Sequence, residues 1–412
     1  MSSPKHILVI NVFFAPQSYG GATIVAEAVA RQLRREHGCR VSVISSMDRP
    51  ELVPYSVMRT EAEGIQNYAI VMPRGRSYAE SYSNPNVTEI VWGLLDDLEP
   101  DLVHIHCMQD LGIGPIAIAK ARGIPVVLSV HDFWWLCEYQ FMIRPNGQYC
   151  GQNPIQIENC RGCVDRMGRA KTRFALLQEA VAQVDLITYP SQFARDLSVA
   201  SGFPKDRSVV WENGVRKPDP AFFDAQAARR ARDPRLVFGF LGGPSQIKGW
   251  PLIKAAFETL NQGDFAGFLV DASLDQTWWA NTDITKMQGD WQVHPRFEQK
   301  DIDAFYAKID VLLFPSQWKE TFGLTIREAV ARGIRVIQTD SGGTAEWAGA
   351  DREEMLQIGE GPERLRTKVM QVLDHPEAHP TPRAVADYGD QARSFLDLVS
   401  ALTVSVSPDS SL

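Results

Sequence analysis

Ile309-Asp310-Val311-Leu312-Leu313-Phe314-Pro315-Ser316, followed closely by Glu320-Thr321-Phe322-Gly323-Leu324-Thr325-Ile326-Arg327-Glu328, is the stretch on which the fold of this chain turns. The apolar run up to Phe314 predicts a buried parallel strand that leaves the sheet at Pro315-Ser316. Small residues at Thr321–Gly323 predict a turn, and the pattern through Leu324, Glu328 and Ala331 predicts an amphipathic helix. The order is therefore strand, polar loop, glutamate, glycine turn, helix. A helix start presents N–H groups without intrahelical partners and a partial positive charge, which suits a phosphate group. Glu320 falls before that helix and Glu328 within its early turns. A carboxylate accepts two hydrogen bonds side by side, matching the vicinal hydroxyls of a ribose or a sugar. The combination predicts a nucleotide-sugar site. The two glutamates alone would fit a surface helix with solvated acids better.

The rest of the chain sets the bounds. Its 412 residues predict two or three domains with ample core. At 44% hydrophobic and 22% charged residues it has the composition of a soluble globular protein. A formal charge of −8 argues against a nucleic-acid binder, which would show a basic balance or face. No apolar run approaches the roughly 18 residues that read as a membrane span. Ile7–Ala15, after Lys5, has the look of a signal-peptide core. Gly20-Gly21 and a helical pattern follow it, with no small-residue cleavage site, so it is the first strand of a βα unit and the expected compartment is the cytoplasm.

Strand-like and helical runs alternate from that point. Ile7–Val12, Arg40–Ser45, Leu102–His106, Val126–Val130, Asp185–Tyr189 and Val209–Glu212 are apolar and end in polar or small residues. Leu236–Leu241, Phe268–Val270, Gln292–His294, Val311–Phe314 and Val336–Thr339 continue the pattern in the second half. Such alternation predicts an α/β protein of two Rossmann-like, doubly wound domains facing a central cleft. The expected boundaries are 1–217, with an insert at about 134–168, and 235–382. The proline- and charge-rich stretch 218–234 is expected as a linker. A helix over 383–402 is expected to pack back on the first domain, and 403–412 to be a disordered tail.

Several side chains could carry chemistry. Gly20 and Gly21 sit between the first strand and first helix, where a ligand could approach the backbone closely; a tight turn without ligand fits equally well. G-x-G-x-x-G occurs nowhere, which argues against a nicotinamide dehydrogenase. Lys248, in the Gly242–Gly249 turn, could reach a diphosphate, although most lysines are simply solvated. His131-Asp132 follows the strand Pro125–Val130, at the carboxyl end where α/β sheets place ligands. A capping or core histidine is the competing view, and His104 and His106 read as packed or structural. Cys137, Cys150, Cys160 and Cys163 have the spacing C-x12-C-x9-C-x2-C in a loop-rich, glycine-containing insert, which favours a structural zinc over four separate thiols. Arg166, Arg169, Lys171 and Arg173 could face an anionic lipid at the inner membrane surface or a pyrophosphate-linked acceptor; a solvated basic face is the plainer account. In each of the pairs Trp134-Trp135 and Trp278-Trp279, at least one ring is expected in the core.

Taken in order, Gly20-Gly21, His131-Asp132, Asn213-Gly214-Val215, Lys248-Gly249, Pro315-Ser316 leading to Glu320 and Glu328, and Asp340-Ser341-Gly342-Gly343 with Glu346 resemble glycosyltransferase family 4. These are retaining enzymes of the GT-B fold. The resemblance covers most of the chain and is strongest in its second half. It implies transfer of a sugar from a UDP- or GDP-linked donor to a saccharide or lipid-linked saccharide, as in polysaccharide biosynthesis. It implies that Glu328 binds the ribose and that Glu320 contacts hydroxyls of the transferred sugar. Backbone N–H groups of Thr321, Phe322, Gly323 and Leu324 would hold the diphosphate together with Lys248. His131 would meet the donor sugar, with the Gly20-Gly21 loop beside the diphosphate and acceptor. The family usually has a phosphate-binding arginine where this chain has Gly243, and Arg327 or Arg296 could compensate. Some family members carry comparable cysteine-bearing inserts.

Fixed positive groups stabilise a leaving diphosphate without reorganisation. No D-x-D motif of the metal-dependent transferases falls in a suitable loop, so no catalytic metal is expected. A same-fold epimerase would consume donor without an acceptor, and a phosphorylase would show a pyridoxal-lysine signature that is absent here. A catalytically weak sugar-nucleotide binding protein is favoured only by Gly243.

Overall fold

A computed structural model describes residues 4–273 and 275–402, so the expected tail at 403–412 lies outside the described residues. The chain divides into two compact units. One contains the residues up to Met142, Gly151–Gly214 and the chain from Ala386 onward; the other contains Ile143–Cys150 and Val215–Val385.

The first unit begins with β1 (His6–Ile10), α1 (Gly21–Arg35) and β2 (Arg40–Met47). A hairpin of β3 (Val57–Ala62) and β4 (Ile65–Val71) follows, then α2 (Pro85–Leu98), β5 (Leu102–Ile105), α3 (Gly114–Ala121) and β6 (Val126–Ser129). After the insert come α4 (Met167–Val181), β7 (Leu186–Tyr189), α5 (Gln192–Ala200) and β8 (Ser208–Val210). The sheet order is β3-β4-β2-β1-β5-β6-β7-β8, and every pair except β3–β4 is parallel. β1 is buried along its whole length, as expected of a strand covered on both faces. α1 buries Val25, Ala26, Val29, Ala30 and Leu33, one stripe of its surface. The hairpin turns at Glu63-Gly64, both at positive φ (54° and 76°), which is the backbone of a tight two-residue connection.

The second unit runs through α6 (Pro220–Arg232), β9 (Val237–Phe240), α7 (Trp250–Glu258), β10 (Ala266–Asp271) and β11 (Asp290–Pro295). It continues through α8 (Ile302–Tyr306), β12 (Val311–Phe314), α9 (Leu324–Ala331), β13 (Arg335–Gln338) and α10 (Pro362–Leu373). Its sheet is wholly parallel, in the order β11-β10-β9-β12-β13. Phe238, Phe240, Phe257, Phe265 and Leu313 pack on one side of it, and Val237, Phe305, Tyr306, Leu312 and Ile326 on the other. β9 and β12 are neighbours, and from them the chain winds in opposite directions. The crevice at such a switch point is where open α/β sheets hold ligands.

Two expectations change. The stretch 218–234 is no loose linker: it forms α6, with Pro220 at its start and Pro234 beyond its end. Both positions are ones where proline marks helix boundaries. α6 buries Phe222, while Arg229 and Arg230 both donate to Asp310 Oδ1 (2.5 and 2.8 Å). The last helix, α11 (Tyr388–Ser400), is shorter than the expected 383–402 and starts at a capping box of Asp387 and Asp390. It packs within the first unit: Trp211 Nε1 donates to the Gln391 carbonyl (3.0 Å), and Gly214 N donates to Gln391 Oε1 (2.8 Å). A Cβ at Gly214 would lie 2.4 Å from the Asp387 backbone, so Asn213-Gly214 is a docking point for this helix.

Candidate active site

The loops leaving β9 and β12 form one structure. Gly249, at φ +82°, comes so close to Pro315 that a Cβ there would lie 2.0 Å from the Pro315 carbonyl oxygen. Gln317 N donates to the Ile247 carbonyl (2.7 Å), fixing the two loops together. This contact brings Lys248 to Glu320. Lys248 Nζ donates to Glu320 Oε1 (2.9 Å), and the same oxygen accepts from Ser316 Oγ (2.7 Å). Glu320 is also held by its backbone, with its N–H on the Ser341 carbonyl (3.0 Å) and its carbonyl accepting from Gly343 N (2.9 Å). Three residues later Gly323 begins α9 in the left-handed conformation, without a side-chain cap. A cation, a carboxylate and an uncapped helix start thus meet at the switch point.

Glu328 faces the interior behind this loop. Its Oε1 accepts from Gln299 Nε2 (2.8 Å) and its Oε2 from the Tyr306 hydroxyl (3.4 Å). Burial raises its pKa above the ordinary glutamate value, against the opposing pull of Gln299, Arg332 and Tyr306. Arg327 is buried and donates to the carbonyls of Gly343 and Thr344 (both 3.2 Å), with its guanidinium over the Phe322 ring. It therefore braces the chain at Gly343-Thr344. Arg296 is exposed, just past β11. A separate apolar cavity of about 550 Å³ beside β13, lined by Val336, Ile337, Leu356 and Val372 among others, contains none of the expected site residues.

In the first unit, Gly20 caps α1 at φ 84°, with nothing within 4 Å of a Cβ built on it, and Gly21 is the first helical residue. His131 stands half-buried at the end of β6, and its Nε2 lies 2.8 Å from His106 Nδ1. His106 leans on His104 (ring centroids 4.1 Å apart), and His104 stacks on Phe395 of α11 at 4.3 Å. Burial lowers the His131 pKa to about 4 and that of His104 to about 3, so both imidazoles are neutral at pH 7. Asp132, buried, accepts from Trp134 N (2.8 Å) and Gln140 Nε2 (2.6 Å) and shapes the following loop.

Family models match both halves: "Glycosyltransferase Family 4" over residues 19–217 and "Glycosyl transferases group 1" over 228–392. The chain belongs to glycosyltransferase family 4. This glycosyltransferase is 23% identical to an uncharacterized 42.6 kDa protein in the cps region of Klebsiella pneumoniae, over 83% of this chain and 87% of that one. It is also 23% identical to D-inositol 3-phosphate glycosyltransferase 1 of Catenulispora acidiphila, over 91% and 89%. Among solved structures it resembles sucrose-phosphate synthase of Thermosynechococcus elongatus, with TM-score 0.63, 14% identity and 97% of each chain covered. HepE of Anabaena, in complex with UDP and glucose, gives a TM-score of 0.61 at 17% identity, over 97% and 99%. These neighbours establish the GT-B architecture of two Rossmann-like domains.

Among the described residues no group of three or more His, Cys, Asp and Glu side chains is placed to hold a metal ion. The basic run is not one solvated face. Arg173 is buried and donates to the Trp134 carbonyl (2.5 Å), Arg169 lies over the Tyr78 ring at 3.8 Å, and Lys171 pairs with Glu158 (3.4 Å). Both Trp134 and Trp135 are core residues, while Trp279 is buried and Trp278 exposed. Gln299, Tyr306 and His106 are the partners that sequence reasoning missed. Nothing local marks them, because each is brought to its glutamate or histidine by the sheet.

Proposed function

We propose that this glycosyltransferase transfers a sugar, with retention, from a UDP- or GDP-linked donor to a saccharide or lipid-linked saccharide. The observation that carries the reading is the Lys248–Glu320 contact of 2.9 Å beside the start of α9. On this reading the diphosphate takes Lys248 as its partner and lies on the N–H groups of Thr321–Leu324. Positive groups fixed there stabilise the leaving diphosphate as its charge develops. Glu320, held by Ser316 and its own backbone, is then available to the hydroxyls of the transferred sugar. Glu328 takes the ribose hydroxyls, with Gln299 and Tyr306 fixing its carboxylate. His131, neutral at pH 7, is suited to a hydrogen bond with a sugar hydroxyl and not to an ion pair. Retention without a nucleophile fits a front-face path in which the leaving phosphate oxygen accepts the acceptor's proton, and no step calls on a divalent cation.

Two similar proteins support the donor class: one is a GDP-mannose-dependent alpha-mannosyltransferase of Mycolicibacterium smegmatis, and HepE of Anabaena was solved in complex with UDP-glucose. No helix among the described residues is long and apolar enough to cross a membrane. A cytoplasmic enzyme that meets its acceptor at the inner membrane face fits this reading. The direct test incubates UDP- and GDP-sugars with saccharide and lipid-linked acceptors, with and without EDTA, and assigns the product anomer by NMR. The expected product keeps the donor's anomeric configuration and forms at the same rate with the chelator. An inverted product would end the retaining assignment. Donor consumption without acceptor would favour an epimerase.

A further inference from the structure

Gly243, in the turn that carries Lys248, is a position where no side chain has room. Its φ is +68°, and a Cβ there would lie 2.7 Å from Cε3 and 2.8 Å from Cζ3 of Trp278. The indole of Trp278 fills the space into which a side chain at 243 would project. That indole is held in place by its neighbour. Trp279 is buried, donates from Nε1 to the Val270 carbonyl (3.0 Å), and packs edge-on against Trp250 at 4.7 Å between centroids. Trp278 itself remains 37% exposed.

The strand order says what this exposed ring stands beside. β11, β10 and β9 are adjacent and parallel, so the segments leaving them emerge along one edge of the sheet. The Lys248 turn follows β9, Trp278 follows β10, and Gln299, which holds Glu328, follows β11. Trp278 therefore stands between the turn assigned to the diphosphate and the segment that braces the ribose-binding carboxylate. An indole offers a flat π-face, and the nucleobase is the one flat π-faced part of a nucleotide sugar.

We infer that Trp278 stacks on the nucleobase of the donor, supplying by ring contact some of the affinity that a charged side chain at position 243 would otherwise give. The inference rests on the nucleotide-sugar reading above. Base–aromatic stacking changes affinity by about 10- to 100-fold and tolerates different bases, since each has a π-face.

The test is calorimetric binding of UDP, GDP and inorganic pyrophosphate to the full chain and to its Trp278→Ala and Trp278→Phe variants. Trp278→Ala is expected to weaken UDP and GDP by about 10- to 100-fold and to leave pyrophosphate unchanged, with Trp278→Phe recovering most of the loss. Because the ring is partly exposed, the melting temperatures of the variants are expected to stay near that of the parent. Unchanged UDP and GDP affinity in Trp278→Ala would overturn the inference, placing the ring outside the donor site. An equal loss for pyrophosphate would also overturn it, since the ring would then act only on the shape of the Lys248 turn. A parent protein that binds neither UDP nor GDP would instead overturn the donor reading itself, an outcome distinct from both.

Discussion

Lys248 and Glu320 neutralise each other at 2.9 Å, and a bound diphosphate would have to draw the ammonium away from the carboxylate. Lys248→Ala is expected to lower turnover by about 10²-fold, the scale of losing one preorganised charge-stabilising donor. Steady-state rates at saturating donor check this, and an unchanged kcat would detach Lys248 from the leaving group. Glu328 provides a second prediction, through its protonation. Burial raises its pKa above 4.5, so the folded state holds this proton more tightly than the unfolded chain does. Its contribution to stability is therefore fully present below pH 4.5 and lost as pH rises through the folded value. Ribose binding runs the opposite way, because two vicinal hydroxyls need the carboxylate as acceptor. UDP affinity is expected to rise with pH through that raised pKa, and Glu328→Gln to flatten the rise and weaken binding. A wild-type profile that is already flat would remove Glu328 from the ribose. Lys248, Glu320 and Glu328 could be singled out from sequence one by one. Their pairing was not, because Lys248 and Glu320 are 72 positions apart and meet only through the close approach of Gly249 to Pro315.

At the scale of elements, apolar runs beside a helical pattern could be read, whereas the β3–β4 hairpin was missed even though β4 is buried at Ile65, Asn67 and Ala69–Val71. β12 and α9 were visible because an apolar run and a helical period adjoin, and β9, β10 and β13 for the same reason. β3 was invisible: Val57–Ala62 (VMRTEA) has no residue in the fully buried class and carries no apolar signature. Its turn, Glu63-Gly64, was the available clue. The misread stretch 218–234 teaches the complementary point, since its prolines bracket a helix and its arginines have a destination in Asp310. That carboxylate is nearly inaccessible and also accepts from Val237 N (3.0 Å), tying α6, β9 and β12 together. Asp310→Ala would leave two guanidinium groups and a strand N–H without their acceptor. A loss of about 3 kcal/mol in urea unfolding is expected, at the low end for breaking a buried pair because both arginines keep some water contact. A change within about 0.5 kcal/mol, as for an ordinary surface substitution, would show that α6 is held by Phe222 alone.

Over the whole molecule, the first unit is discontinuous: its sheet is complete by β8, yet α11 arrives only after the entire second unit. α11 covers Trp211 and stacks Phe395 on His104, the foot of the histidine column that ends at His131. A chain ending at Val385 is expected to retain a folded second unit but to expose Trp211 and the His104 ring, with faster proteolysis confined to the first unit. Equal protease resistance in both units would show that the helix is dispensable. The order of synthesis gives this arrangement a further meaning. A ribosome makes the second unit after nearly all of the first and before the helix that closes it, an interval of roughly 10–30 s at ordinary elongation rates. During that time the nascent first unit carries an uncovered apolar face while the donor-binding half completes itself. The first unit is thus closed by a helix made after the whole of the second, and a premature stop before Tyr388 would release a chain with one mature half and one open one.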